Sequence, residues 1–100
     1  MSTDRVLAYL SEHQQAHLDQ LCDWLRIPSV SSESSCDADT RRVAGFVAHE
    51  LRDLGLAVEM IDLGGHPLIH AESEQRPDRK TLLFYGHYDV QPVDPLELWT

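Results

Sequence analysis

Thr81-Leu82-Leu83-Phe84-Tyr85-Gly86-His87-Tyr88-Asp89-Val90-Gln91-Pro92 is the stretch on which the reading of this chain turns. Leu82 to Tyr85 is an apolar run of the length expected for a strand buried on both faces. Gly86 breaks the run, and two polar, metal-competent side chains follow at once, His87 and Asp89. In an open α/β sheet, residues just past the carboxyl end of a strand line the crevice where ligands bind. The i, i+2 spacing in extended chain turns both side chains to one side. The imidazole can then ligate a metal while the carboxylate orients it. The bland alternative is a solvated histidine at a strand end, and the tripeptide alone does not decide between them.

Working outward, the chain upstream reads as two helices and two strands. Val6, Leu7, Leu10, Leu18, Leu21 and Leu25 fall at helical spacing, which predicts one amphipathic helix over Thr3 to Arg26. Thr3 is its expected N-cap, Asp4 sits in its positive first turn, and Pro28 ends it. Cys22 and Trp24 read as core or core-rim residues. Five serines between Ser29 and Ser35 mark a loop. A second helix is expected from near Asp39 to Leu54, capped by Asp37 or Asp39, with Val43, Phe46, Val47, Leu51 and Leu54 as its buried stripe and Gly55 as its stop. Leu56 to Ile61 and Pro67 to Ala71 read as strands around a Gly64-Gly65 turn. With Thr81 to Tyr85 the order is α-α-β-β-β. This predicts an α/β fold, a helix-covered mixed sheet with the last strand central and the other two partly antiparallel.

Composition removes several function classes. A formal charge of -9, from 17 acidic against 8 basic residues, repels phosphate backbones and anionic lipid, so neither nucleic acid nor membrane is expected as a partner. The acids are dispersed and form no tail. No apolar run approaches the roughly 20 residues that span a bilayer, and Met1 to Arg5 lacks the plan of a signal peptide. Cys22 and Cys36 have neither metal-site nor framework spacing, which leaves a reducing compartment, and hence the cytoplasm, as the expectation. No G-x-S-x-G or phosphate-binding glycine loop occurs. His13 and His17 are four apart, but Gln14 stands where a zincin helix carries glutamate, so they read as surface histidines. His49, His66 and His70 read as helix-surface, turn and strand-edge residues. The proline-broken tail ending in Trp99 looks cut rather than finished.

Taken together these residues resemble a known family. Leu83 to Pro95, with Trp99 following, looks like the first metal-binding motif of the M20 metallopeptidases, within the dipeptidase branch that includes the carnosinases and cytosolic nonspecific dipeptidases. Trp24-Leu25-Arg26-Ile27-Pro28-Ser29-Val30-Ser31 resembles that family's first-helix exit, and Gly64-Gly65-His66-Pro67 its inter-strand turn. The resemblance runs over nearly the whole chain in the right order. It implies that residues 1–100 form the N-terminal part of a metallopeptidase catalytic domain. It implies that His87 is a ligand to one zinc of a two-zinc site, with Mn2+ or Co2+ as alternative metals, and that Asp89 is the aspartate holding this histidine. It further implies a dipeptide or small peptide as substrate and a homodimeric parent protein. The family's remaining ligands, its general base and its lid domain have no counterpart here, so the chain by itself is expected to be inactive. Two alternatives stand beside dipeptide hydrolysis. One is deacylation or desuccinylation of N-acyl amino acids within the same family, and the other is a non-catalytic binding module. Tyr88, between the two site residues, carries no assigned role, and Asp94 is read as structural.

Overall fold

Helix α1 (Thr3–Glu12) and helix α2 (Gln14–Leu25) lead in a computed structural model that describes residues 2–100. A short 3-10 turn at Ser34–Cys36 precedes helix α3 (Asp37–Asp53), which is followed by strands β1 (Ala57–Ile61) and β2 (Leu68–Glu72). The α/β class expected from the sequence holds. Its expected element order does not, and the departures have physical causes.

The single N-terminal helix is broken at His13, whose backbone leaves helical values at φ -104°, ψ 10°. There the imidazole Nδ1–H donates to the Tyr9 carbonyl at 2.9 Å, the same oxygen that accepts the His13 backbone N–H at 3.0 Å. A side chain that shares a carbonyl of the helical ladder bends the helix at that point. The His13 ring also stacks on Tyr9, with centroids 4.0 Å apart. The N-cap is Ser2 rather than Thr3, its side chain accepting the Arg5 N–H at 3.4 Å.

Helix α3 carries the core. Val43, Ala44 and Ala48 are its fully enclosed apolar residues, and the helix packs over the β1–β2 hairpin. It ends as its glycine demands. Gly55 adopts φ 85°, the Gly55 N–H bonds the Arg52 carbonyl at 2.8 Å and the Leu56 N–H bonds the Leu51 carbonyl at 3.2 Å. That pair of bonds is a Schellman cap, which a residue with a Cβ would disfavour. At the other end Asp37 and Asp39 lie inside the first turn, where their charge complements the helix dipole, while the N-cap itself is Cys36, without a side-chain cap bond.

The hairpin is antiparallel, with Ala57 opposite Glu72, Glu59 opposite His70 and Ile61 opposite Leu68. Its turn places Gly64 at φ 89°. Helix α2 reaches α3 through tilted Trp24 and Phe46 rings, centroids 6.5 Å apart, and a Gln20 to Glu50 hydrogen bond. Arg41 pairs with Asp62 at 2.6 Å across the α3–hairpin junction. Both partners are exposed, so this pair contributes little.

The third strand does not form. Thr81 to Tyr85 has no strand partner among the described residues, and Leu82, Leu83, Phe84 and Tyr85 are 78%, 94%, 87% and 94% exposed. A strand apolar on both faces gains stability only when ladder partners flank it and layers cover both sides. The hairpin supplies neither. Val6, Leu7, Leu10, Leu18, Leu21 and Leu25 of α1 and α2 are likewise exposed, as is Cys22, which corrects its reading as core or core-rim, whereas Trp24 is half-buried at the core rim. Trp99 is exposed too, its indole N–H turned back to the Val93 carbonyl at 2.7 Å. A radius of gyration of 16.7 Å, against about 13 Å for a compact chain of this length, expresses the same open arrangement.

Thr40 sits inside α3, fully buried, and its hydroxyl has no partner among the described residues. An unpaired buried hydroxyl costs about 1–3 kcal/mol. Thr40→Val is therefore expected to raise stability by about 1 kcal/mol in urea unfolding. A loss of stability would show that the hydroxyl is satisfied in solution.

Candidate metal centre

The segment His87–Val90 is fixed by three other parts of the chain. Where α2 gives way to Pro28, the chain runs extended past Ser29 and Val30, and Val30 makes a parallel bridge with Val90. The Val90 N–H donates to the Ser29 carbonyl at 3.0 Å. Ser29 is fully buried, and its hydroxyl donates to the Tyr88 carbonyl at 3.2 Å. The Trp24 indole N–H reaches the same carbonyl at 3.1 Å, so both of its lone pairs are used. The Tyr88 hydroxyl crosses to the hairpin and donates to the Pro67 carbonyl at 2.6 Å. Tyr88 thus bolts the segment to the hairpin turn on one side and to the α2 exit on the other. Its phenol is pushed above its ordinary pKa, first by burial and then by the charge of Asp89, with Arg41 opposing.

Held in this way, His87 and Asp89 meet. The His87 Nδ1 lies 2.9 Å from Asp89 Oδ1 and 3.0 Å from the Asp89 backbone carbonyl. Both neighbours accept hydrogen bonds and cannot donate them, so the proton resides on Nδ1. The Nε2 lone pair is left free, without a protein partner among the described residues, on a side chain that is 74% exposed. The other carboxylate oxygen, Asp89 Oδ2, accepts the Ser31 hydroxyl. The Ser31 hydrogen bond, with that of His87, holds the Asp89 carboxyl below the usual aspartate range against the opposing effect of burial. Asp89 is therefore a carboxylate at neutral pH, the form that can accept from both partners.

This arrangement suits one nitrogen donor to a divalent cation, with its tautomer set by a carboxylate behind it. It does not make a whole site. Among the described residues no cluster of three or more His, Cys, Asp or Glu side chains could hold a metal, whereas a zinc centre takes about three protein ligands or more. The residues present fit a metal as one ligand and its orienting partner, and no further.

The other histidines lie elsewhere. His49 faces Asp53 at 3.3 Å and His70 faces Glu72 at 3.8 Å, both exposed. His13 and His17 line the N-terminal helices beside Tyr9. His66 does more than occupy its turn, because its Nε2–H donates to the Ser31 carbonyl at 2.9 Å. Asp94 forms no ion pair among the described residues. Ser29, Ser31, Trp24 and Tyr88 are the supporting residues, to none of which the sequence assigned a part in the site. Pro28 and the serine run mark where such a loop begins, but nothing in a linear pattern ties Ser31 to a residue 58 positions away.

Comparison with known proteins bears on these residues as a group. No family model matches the chain, and no solved structure does. Curated proteins do. The chain is 28% identical, over its whole length and 23% of the relative's, to the Cys-Gly metallodipeptidase of Schizosaccharomyces pombe. It is 30% identical over 96% of its length to the Beta-Ala-His dipeptidase of Mus musculus, of which it covers 22%. A shorter match, 35% identical over 68% of the chain and 17% of the relative, is to the succinyl-diaminopimelate desuccinylase of an Azoarcus species. The chain thus spans a little under a quarter of the length of these two dipeptidases. Aligned with them along nearly all of its residues, and carrying a carboxylate-oriented histidine on a segment tied to the α2 exit and the hairpin turn, the chain belongs to the M20 family of metallopeptidases.

Proposed function

We propose that residues 1–100 are the N-terminal part of a metallopeptidase catalytic domain whose complete protein hydrolyses dipeptides with zinc. The observation that carries this reading is the whole-chain match to metallodipeptidases, combined with a histidine whose Nε2 is free and whose Nδ1 is held by a carboxylate. In this reading His87 Nε2 is one ligand of a two-zinc site, with Mn2+ or Co2+ able to substitute, and Asp89 holds the ring. The remaining ligands and the general base come from chain outside these 100 residues. When bound, a zinc pair supplies polarisation of the scissile carbonyl and an acidified water.

The chain's own part is positional. Asp89 keeps the proton on His87 Nδ1, and so keeps Nε2 available as a donor. Tyr88, Ser29 and Trp24 keep the segment from retreating into solvent. The substrate is a dipeptide or small peptide, and the complete protein is a cytoplasmic homodimer. No helix among the described residues is long and apolar enough to cross a membrane, and Cys22 and Cys36 are free thiols, both of which accord with that placement.

The desuccinylase match supports a second reading, hydrolysis of N-acyl amino acids. The two separate by substrate. With the zinc-loaded complete protein, a free dipeptide is expected to turn over and an N-succinyl amino acid to be inert. The opposite preference would replace the dipeptidase assignment with the acyl one. Turnover of neither, with metal bound, would remove both.

A further inference from the structure

We propose that Ser31 is a positioning residue for His87, acting through Asp89, an inference that rests on reading His87 as a metal ligand. Asp89 Oδ1 accepts the His87 Nδ1–H at 2.9 Å, and Oδ2 accepts the Ser31 hydroxyl. A carboxylate gripped at one oxygen can still rotate about its Cβ–Cγ bond and swing the acceptor away from the imidazole. Gripped at both, its plane is set, and the ring hydrogen-bonded to it is set as well. No other side chain among the described residues bonds Asp89, and only Asp89 bonds the largely exposed ring of His87.

Ser31 is itself held before it bonds. Its carbonyl accepts the His66 Nε2–H at 2.9 Å, while its neighbours Ser29 and Val30 are tied to Val90 and Tyr88. The hydroxyl is thus presented by backbone that is already fixed, so little ordering is lost when the bond forms. The run of serines after Pro28 accordingly contains two with distinct tasks. Ser29 holds the backbone of the site segment and Ser31 holds its carboxylate.

The test is nitrogen-15 NMR of the histidine rings in the full chain without metal, at one pH well above imidazole titration. In the unmodified chain His87 is expected to carry its proton on Nδ1. In Ser31→Ala the ratio of the Nδ1–H to the Nε2–H form is expected to fall about two- to five-fold, less than the full worth of one hydrogen bond because the Asp89 backbone carbonyl, 3.0 Å from Nδ1, still accepts that proton. Ser31→Thr, which keeps the hydroxyl, is expected to restore it, and the backbone signals of Ser29, Val30 and Val90 are expected to stay in place in both variants. An unchanged His87 tautomer in Ser31→Ala would overturn the proposal. So would loss of the Val30–Val90 pairing, because Ser31 would then be a structural residue of the loop. The metal reading stands or falls on a separate measurement, zinc binding and turnover by His87→Ala in the complete protein.

Discussion

On the proposed reading, His87→Ala is expected to lower the metal-dependent turnover of the complete protein by more than 100-fold while leaving its unfolding transition in place. Loss of a carboxylate that only orients a metal-bound histidine commonly costs 10–100-fold. Loss of the ligand itself removes the nitrogen that such a carboxylate exists to present, and a catalytic zinc has few ligands to spare. The fold should not notice, because the side chain is 74% exposed and bonds only Asp89 among the described residues. Asp89→Asn provides the intermediate case. The amide can still accept at one atom, so activity should fall within the 10–100-fold range and metal affinity should weaken in parallel. Turnover numbers, bound zinc per chain and thermal unfolding on the same preparations check all three statements. An active His87→Ala protein with its zinc retained would remove His87 from the metal site.

Val43→Asp is expected to abolish cooperative unfolding of the 100-residue chain. Val43 is fully enclosed, with only Ala44 and Ala48 as equally buried apolar company among the described residues. An ionised carboxylate there would have no partner, and even when neutralised it leaves a polar group in place of two methyls. The cost is several kcal/mol against a stability that, for a core this small, lies at the low end of the usual range of about 5–15 kcal/mol. Val43→Ala removes only the methyls and should cost about 1–3 kcal/mol. Leu83→Asp is the informative control. Leu83 lies in an uninterrupted apolar run, yet it is 94% exposed, so the substitution should change stability by less than about 0.5 kcal/mol. Urea unfolding followed by far-ultraviolet circular dichroism measures all three. A large loss in Leu83→Asp would mean that the run is buried in solution and that the core lies elsewhere.

That contrast between Val43 and Leu83 marks how far the sequence could be read. Periodicity found α3 because Val43, Phe46, Val47 and Leu51 repeat at the spacing of a helix packed on one side. Of the stripe expected to be buried, however, only Val43 is enclosed, Phe46, Val47 and Leu51 are half-buried, and Leu54 is 77% exposed. Gly55 announced its stop, and the Gly64-Gly65 turn announced the hairpin, because each glycine signal is local backbone chemistry. The His87-Tyr88-Asp89 motif was legible for the same reason. Two residues apart in extended chain, the imidazole and the carboxylate need little else to meet.

What local pattern could not convey was partnership. The apolar character of Leu82 to Tyr85 states that the run is suited to burial, but burial also requires a neighbour. The β1–β2 hairpin does not provide one. His13 looked like a helical residue until its ring took the Tyr9 carbonyl and bent the helix. Tyr88 had no role in the sequence, because its role is a hydrogen bond to Pro67, 21 positions away. Ser31 was one serine among several until the fold set it against Asp89. The sequence by itself determined which segments are helical, the stop of α3, the hairpin and the identity of the His87–Asp89 pair, all of which depend on forces acting over a few residues. Only the tertiary structure decided which apolar surfaces are covered and which hydroxyls hold the site, because those depend on contacts between distant segments that no spacing along the chain encodes.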